Sequence, residues 1–162
     1  MSKLVGRLLL AVGLAVSLNA AAATYNLGTL PIGETDFGIN NVGKGTFSDT
    51  INFSLGSASN LETGISSLEL VLGGSVRFGI SSLNMALYNS AGAKLGGGTD
   101  ITVSNALPTG SYFAVITGIG SGSSGGKYAG AFLVSAVPEP DIWAMLLVGI
   151  GLLGFTAMRR KV

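Results

Sequence analysis

From Ile142 to Met158 the chain carries no charged residue, and this stretch limits how the rest can fold. A helix of that length, at ~1.5 Å per residue, extends ~25 Å, the short end of what crosses a bilayer core of ~30 Å. Being apolar all round, it has no face to offer water. In the preceding Val137-Pro-Glu-Pro-Asp141, Pro138 and Pro140 fix φ and remove amide donors, which predicts an extended linker over 137–141. Arg159, Arg160 and Lys161 follow the span, and a basic cluster beside an apolar segment stays on the cytoplasmic side. The tail 137–162 thus reads as linker, transmembrane helix 142–158 and basic end 159–162, with everything before it outside the cytoplasm.

The amino terminus is a second segment that does not join the fold. Lys3 and Arg7 precede the apolar run Leu8 to Leu18, and Ala20 to Ala23 supply small residues. This predicts a secretory signal peptide over 1–23, cut after Ala23, with Ala21 and Ala23 at the positions signal peptidase reads. A second membrane helix is the alternative, but the apolar run is short for one.

Residues 24–136 remain, a size suited to one domain. They hold Lys44, Arg77, Lys94 and Lys127 against Glu34, Asp36, Asp49, Glu62, Glu69 and Asp100, four basic and six acidic residues, for a net charge of −2. Nucleic acid and anionic membrane surfaces call for clustered Lys and Arg, so neither is an expected partner. The 162 residues include neither cysteine nor histidine. Disulfides, Ser-His-Asp and Cys-His nucleophile systems and the usual zinc sites are therefore excluded. No catalytic residue, cofactor or metal is expected, and the chain reads as a non-enzyme.

The domain shows strand signals with turns between them and no capped 3.6-residue period. Phe47 to Leu55 alternates, placing Phe47, Asp49, Ile51, Phe53 and Leu55 on one face and Ser48, Thr50, Asn52 and Ser54 on the other. Leu68, Leu70 and Leu72 alternate before the Gly73-Gly74 turn, and Val76 to Ile80 follows as a partner. Leu83 to Tyr88, Asn89 to Gly92 and Ala93 to Leu95 form a hairpin, and Gly96 to Gly98 break the next segment before a short strand, Asp100 to Val103. Pro108 and Gly110 make a turn into Ser111 to Thr117, apolar on both faces and so central. Tyr128 to Val134 is the last strand, and Tyr25 to Ile39 adds an edge. About eight short strands predict an all-β fold, an antiparallel, jelly-roll-like β-sandwich. Its expected core includes Ile51, Phe53, Leu68, Leu70, Val115 and Phe132.

Two motifs carry competing readings. Gly120-Ser-Gly122-Ser-Ser-Gly125 matches G-x-G-x-x-G, but a strand follows where a phosphate site needs a helix N-terminus, so it reads as a flexible hairpin loop. Asp49 points toward the core, where a carboxylate must be hydrogen-bonded, paired or bound to a cation. It is either structural or one ligand of a calcium site completed by Asp36 or Asp100. The other acids are spread over several strands and turns, with no evident pair for glycoside hydrolysis. Tyr25, Tyr88, Tyr112 and Tyr128 are candidates for stacking on sugar rings if their strands bring them to one face.

The order Pro138-Glu139-Pro140, glycine-interrupted apolar span, Arg159-Arg160-Lys161 resembles the PEP-CTERM sorting signal of exopolysaccharide-producing Gram-negative bacteria. That resemblance implies recognition of the tripeptide by an inner-membrane exosortase, which removes the tail. Phe47-Ser-Asp49-Thr-Ile51, with Ser111 to Gly118 and Gly125 to Gly130, is similar to the FxDxF family of PEP-CTERM proteins, Ile51 standing where the motif has its last aromatic residue. The layout of Met85 to Leu95 and Leu107 to Gly118 is similar to secreted β-sandwiches of the pre-peptidase C-terminal type. Together these imply an exported protein, held briefly in the inner membrane with its domain in the periplasm and then delivered to the cell surface or extracellular matrix. Exosortase and signal peptidase are the expected processing partners. Exopolysaccharide in a biofilm is the expected neighbour, either as surroundings or as a ligand of a carbohydrate-binding module.

Overall fold

The computed structural model describes residues 22–137 and 145–153. The first segment forms eleven strands: β1 Thr24–Leu30, β2 Gly33–Val42, β3 Gly45–Leu55, β4 Ser59–Leu68, β5 Leu70–Leu72, β6 Ser75–Phe78, β7 Ile80–Asn89, β8 Lys94–Gly98, β9 Asp100–Leu107, β10 Gly110–Gly120 and β11 Gly126–Ala136. Sheet A has the order β1-β3-β10-β7-β8 and sheet B the order β2-β11-β4-β9, while β5 and β6 pair with each other alone. All pairings are antiparallel except β1 with β3. The two large sheets form the expected sandwich.

Alternation decides which side chains fill it. In β3, Phe47, Asp49, Ile51, Phe53 and Leu55 are all buried, while the residues between them are half-buried on the outer face. Opposite lie Leu61 and Ile65 of β4 and Tyr128, Phe132 and Val134 of β11. Aromatic rings tie the layers together: Phe47 stacks on Tyr128 at 5.7 Å, and Phe53 meets Phe132 at 4.6 Å and Tyr112 at 5.8 Å. Phe37 lies 5.3 Å from Phe132, and its ring fills the space a Cβ on Gly130 would take. Tilted and offset aromatic pairs of this kind add to the stabilisation from burial.

Ile51, Phe53 and Phe132 lie in the core as expected, and β10 and β11 are central strands. Three expected core residues do not. Leu68, the last residue of β4, is 41% exposed; after a break at Glu69, Leu70 is 43% exposed in β5, which leaves with β6 as a satellite hairpin that Lys127 joins by lying 4.5 Å over the Phe78 ring. Val115 is half-buried on the outer face, since Tyr112, Ala114 and Ile116 take the inner positions of β10. The N-terminal piece supplies two edge strands rather than one, and the glycines at 96–98 remain in strand β8, where Gly96 gives room to Ile101.

Residues 145–153 are helical, and their large side chains are exposed. At ~1.5 Å per residue this segment is well short of ~30 Å. Among the described residues no helix is long and apolar enough to cross a membrane. The expected span 142–158 extends past this helix at both ends, outside the described residues. The residues of the expected signal peptide through Ala21, the Pro138-Glu139-Pro140 tripeptide and Arg159, Arg160 and Lys161 also lie outside the described residues.

Candidate functional site

Asp49 is 3% exposed, inside the sandwich where β3 faces β11. Its Oδ2 accepts a 2.7 Å hydrogen bond from the Tyr128 hydroxyl, and its Oδ1 accepts one of 2.8 Å from the Ala23 amide. The Ala23 carbonyl in turn accepts from the Thr50 amide at 2.8 Å, so this node starts the β1–β3 ladder. Burial, the hydrogen bond to Asp49 and its charge push the Tyr128 phenol far above its ordinary range; burial and the same charge raise Tyr25. Of the two readings of Asp49, the geometry is that of a structural aspartate. Asp36 and Asp100 do not approach it; both lie on the exposed face of sheet B.

The Gly120–Gly125 segment is a pinned connection between sheets. Ser121 donates to the Gly79 carbonyl at 2.9 Å, Ser123 to Val76 at 2.9 Å and Ser124 to Arg77 at 2.8 Å. A Cβ on Gly120 would stand 2.1 Å from the Gly43 carbonyl oxygen, and one on Gly122 would stand 2.4 Å from that of Gly125. These glycines are required by backbone crowding, and the expected flexible hairpin loop is instead an arch from β10 in one sheet to β11 in the other.

The four tyrosines do not share a face. Tyr128 and Tyr112 are buried, the latter donating to the Pro108 carbonyl at 2.7 Å; Tyr25 packs half-buried against the core. Burial raises Tyr112 above its ordinary value. Only Tyr88 faces outward, stacked on Phe113 at 5.1 Å with the rings nearly parallel. Register places these two in one row across four strands, Asn26–Asn52–Phe113–Tyr88. Asn52 donates to Asn26 at 3.0 Å, and the Thr29 and Ser54 hydroxyls lie 2.9 Å apart beside them. A shallow groove of about 450 Å³ runs over Asn26, Asn52, Ser54, Ser111 and Phe113. Strands β1, β3, β7 and β10 carry no charged residue apart from the inward Asp49, and on the fifth strand, β8, the exposed Lys94 pairs with Tyr88 at the end of the row. Sequence reasoning missed Phe113; its signal was its parity with Asn52 and Tyr88 once strand pairing is known.

Charge gathers on the other side. The exposed face of sheet B presents Glu34, Asp36, Glu62 and Asp100 in two neighbouring rows, Glu34–Leu133–Glu62–Thr102 and Asp36–Ala131–Gly64–Asp100. Acids expected to be scattered are thus brought together, and a trough of about 330 Å³ runs over Glu34, Glu62 and Asp100. Asp100 leans across Gly64, its Oδ1 lying 3.0 Å from where a Cβ would be. This face repels anions. Among the described residues no group of three or more His, Cys, Asp or Glu side chains could hold a metal ion.

No curated protein matches this chain. Among solved structures it is similar to the periplasmic inhibitor of g-type lysozyme from Aeromonas hydrophila, at 8% identity over 71% of this chain and 100% of that one, with a TM-score of 0.47. It is also similar to the pre-peptidase C-terminal domain of a Bacillus anthracis collagenase, at 17% identity over 72% and 99%, with a TM-score of 0.43. Residues 136–161, which include Pro138-Glu139-Pro140 and Arg159-Arg160-Lys161, match a family profile. That profile is the PEP-CTERM protein-sorting motif, so the chain ends in the signal of an exported, exosortase-targeted protein.

Proposed function

We propose that this is a non-enzymatic protein of the cell surface or extracellular matrix that associates with exopolysaccharide, its β-domain contacting uncharged glycan through the outer face of sheet A. After signal-peptide removal the tail holds the domain in the periplasm, the Pro138-Glu139-Pro140 linker presents the cut site, and exosortase releases the product. The observation that carries the glycan contact is the Asn26–Asn52–Phe113–Tyr88 row. Amides and hydroxyls donate to and accept from sugar hydroxyls, and the face of a ring in the Tyr88–Phe113 stack that its partner leaves uncovered packs against the C–H face of a pyranose ring. The carboxylates lie on the opposite sheet, and the row on sheet A meets a single cation, Lys94 paired with Tyr88, so uncharged amides, hydroxyls and rings make up most of the contact.

The test is affinity electrophoresis of the exported protein through gels containing neutral exopolysaccharide from the producing organism. Mobility should fall in the wild type and recover in Tyr88→Ala with Phe113→Ala, while Glu62→Gln stays retarded. Equal retardation of all three proteins, or none in any, rejects the sheet A contact.

A further inference from the structure

Asp49 is a buried carboxylate whose partners among the described residues are two neutral donors, the Tyr128 hydroxyl and the Ala23 amide. Buried charges are tolerated where they are hydrogen-bonded and paired with an opposite charge, and Asp49 has the first of these without the second. The Ala23 nitrogen, 2.8 Å from Oδ1, lies beside a cleavage region, and the preceding Ala22 is exposed. Signal peptidase needs small residues at two positions, one residue apart, and the alanines offer this in two registers: Ala21 with Ala23, or Ala20 with Ala22. Cutting after Ala23 removes the amide that Asp49 holds and the carbonyl that opens the β1–β3 ladder. Cutting after Ala22 keeps both.

We propose that the mature chain begins at Ala23 and that its new α-ammonium forms an ion pair with Asp49, so that removal of the signal peptide completes the fold. The inference rests on the export reading. Water adds to the Ala22 carbonyl carbon and the C–N bond breaks; the water's oxygen stays with Ala22 as its carboxylate, and both its protons end on the Ala23 nitrogen, which becomes an ammonium. The neutral donor on Oδ1 becomes a positive one in place, with no movement of the strand. Before cleavage Asp49 lacks its counter-charge and the domain is weaker, a state suited to a chain still crossing the membrane. After cleavage the β1–β3 edge is locked by charge as well as by backbone pairing.

The experiment is N-terminal sequencing by mass spectrometry of the full-length gene product exported in a Gram-negative host, followed by melting of that product. A start at Ala23 is expected. A start at Thr24, or one before Ala23, overturns the ion pair while leaving export intact; an uncut chain overturns both. Enzymatic acetylation of the α-amine then removes the charge but leaves an N–H for Oδ1. It should lower the melting temperature by several degrees in the wild type and leave Asp49→Asn unchanged. An equal effect in both, or none in the wild type, shows that Asp49 needs only an amide and rejects the proposal.

Discussion

Replacing Tyr128 by Phe removes one oxygen from the middle of the sandwich and nothing else. The ring keeps its stack on Phe47 at 5.7 Å and its full burial, so no cavity larger than the hydroxyl is created. What is lost is a 2.7 Å bond to a charged acceptor. A hydrogen bond to an ionised group is worth ~1.5–3 kcal/mol, and here the carboxylate left behind is buried with one donor, which places the cost near ~3 kcal/mol. For a domain of this size that lowers the melting temperature by roughly 10 °C or more. Tyr112→Phe is the matched control: its hydroxyl bonds the neutral Pro108 carbonyl, so its loss should cost only ~0.5–1.5 kcal/mol. Urea denaturation followed by circular dichroism measures both. Combining Tyr128→Phe with Asp49→Asn should show coupling above ~1 kcal/mol. If Tyr128→Phe costs no more than Tyr112→Phe, or the two changes simply add, the Asp49 node does not organise the core as described.

Phe53→Ala should cost ~3–5 kcal/mol by chemical denaturation, since Phe53 is 3% exposed and touches both Phe132 and Tyr112. Gly120→Ala should sharply reduce the soluble yield, because its Cβ meets the Gly43 backbone, whereas Gly92→Ala, which meets nothing within 4 Å, should cost only ~1 kcal/mol of left-handed strain at φ 80°. Tyr128 has a folded pKa raised above its unfolded value, so the stability it contributes is full below pH 10.0 and falls as pH rises past it. Ultraviolet titration should find its phenolate appearing only together with unfolding.

Strand β3 was legible because every inner position but one is large and apolar, and the exception, Asp49, marked itself by breaking the pattern. Strand β4 was not, because Ser59 and Thr63 occupy inner positions and look like loop residues until their partners are known. Ser59 donates to the Ser57 carbonyl at 3.0 Å and Thr63 to the Ala131 carbonyl at 2.8 Å, so burial leaves neither hydroxyl unsatisfied. The leucines at 68, 70 and 72 showed the opposite failure. Alternating side chains identify a strand, but whether its apolar face is covered depends on a second sheet that local sequence does not name. The same holds for the candidate sites. That Asp49 points inward follows from period two, but its partners lie 26 and 79 residues away in the chain. The Tyr88–Phe113 stack likewise exists only through the β7–β10 register. The sorting tail needed no tertiary information, because its elements are consecutive.

Whether the tail delivers the domain and is then removed is decided by the intact mass of the protein recovered from the surface fraction of its exosortase-bearing host. The product should lack Trp143 and everything after it. Changing Pro138-Glu139-Pro140 to three alanines should leave export intact while full-length protein accumulates in the inner membrane. Surface material that retains its C-terminal Arg159-Arg160-Lys161-Val162, or an alanine variant that is still trimmed and released, would contradict sorting by the tail.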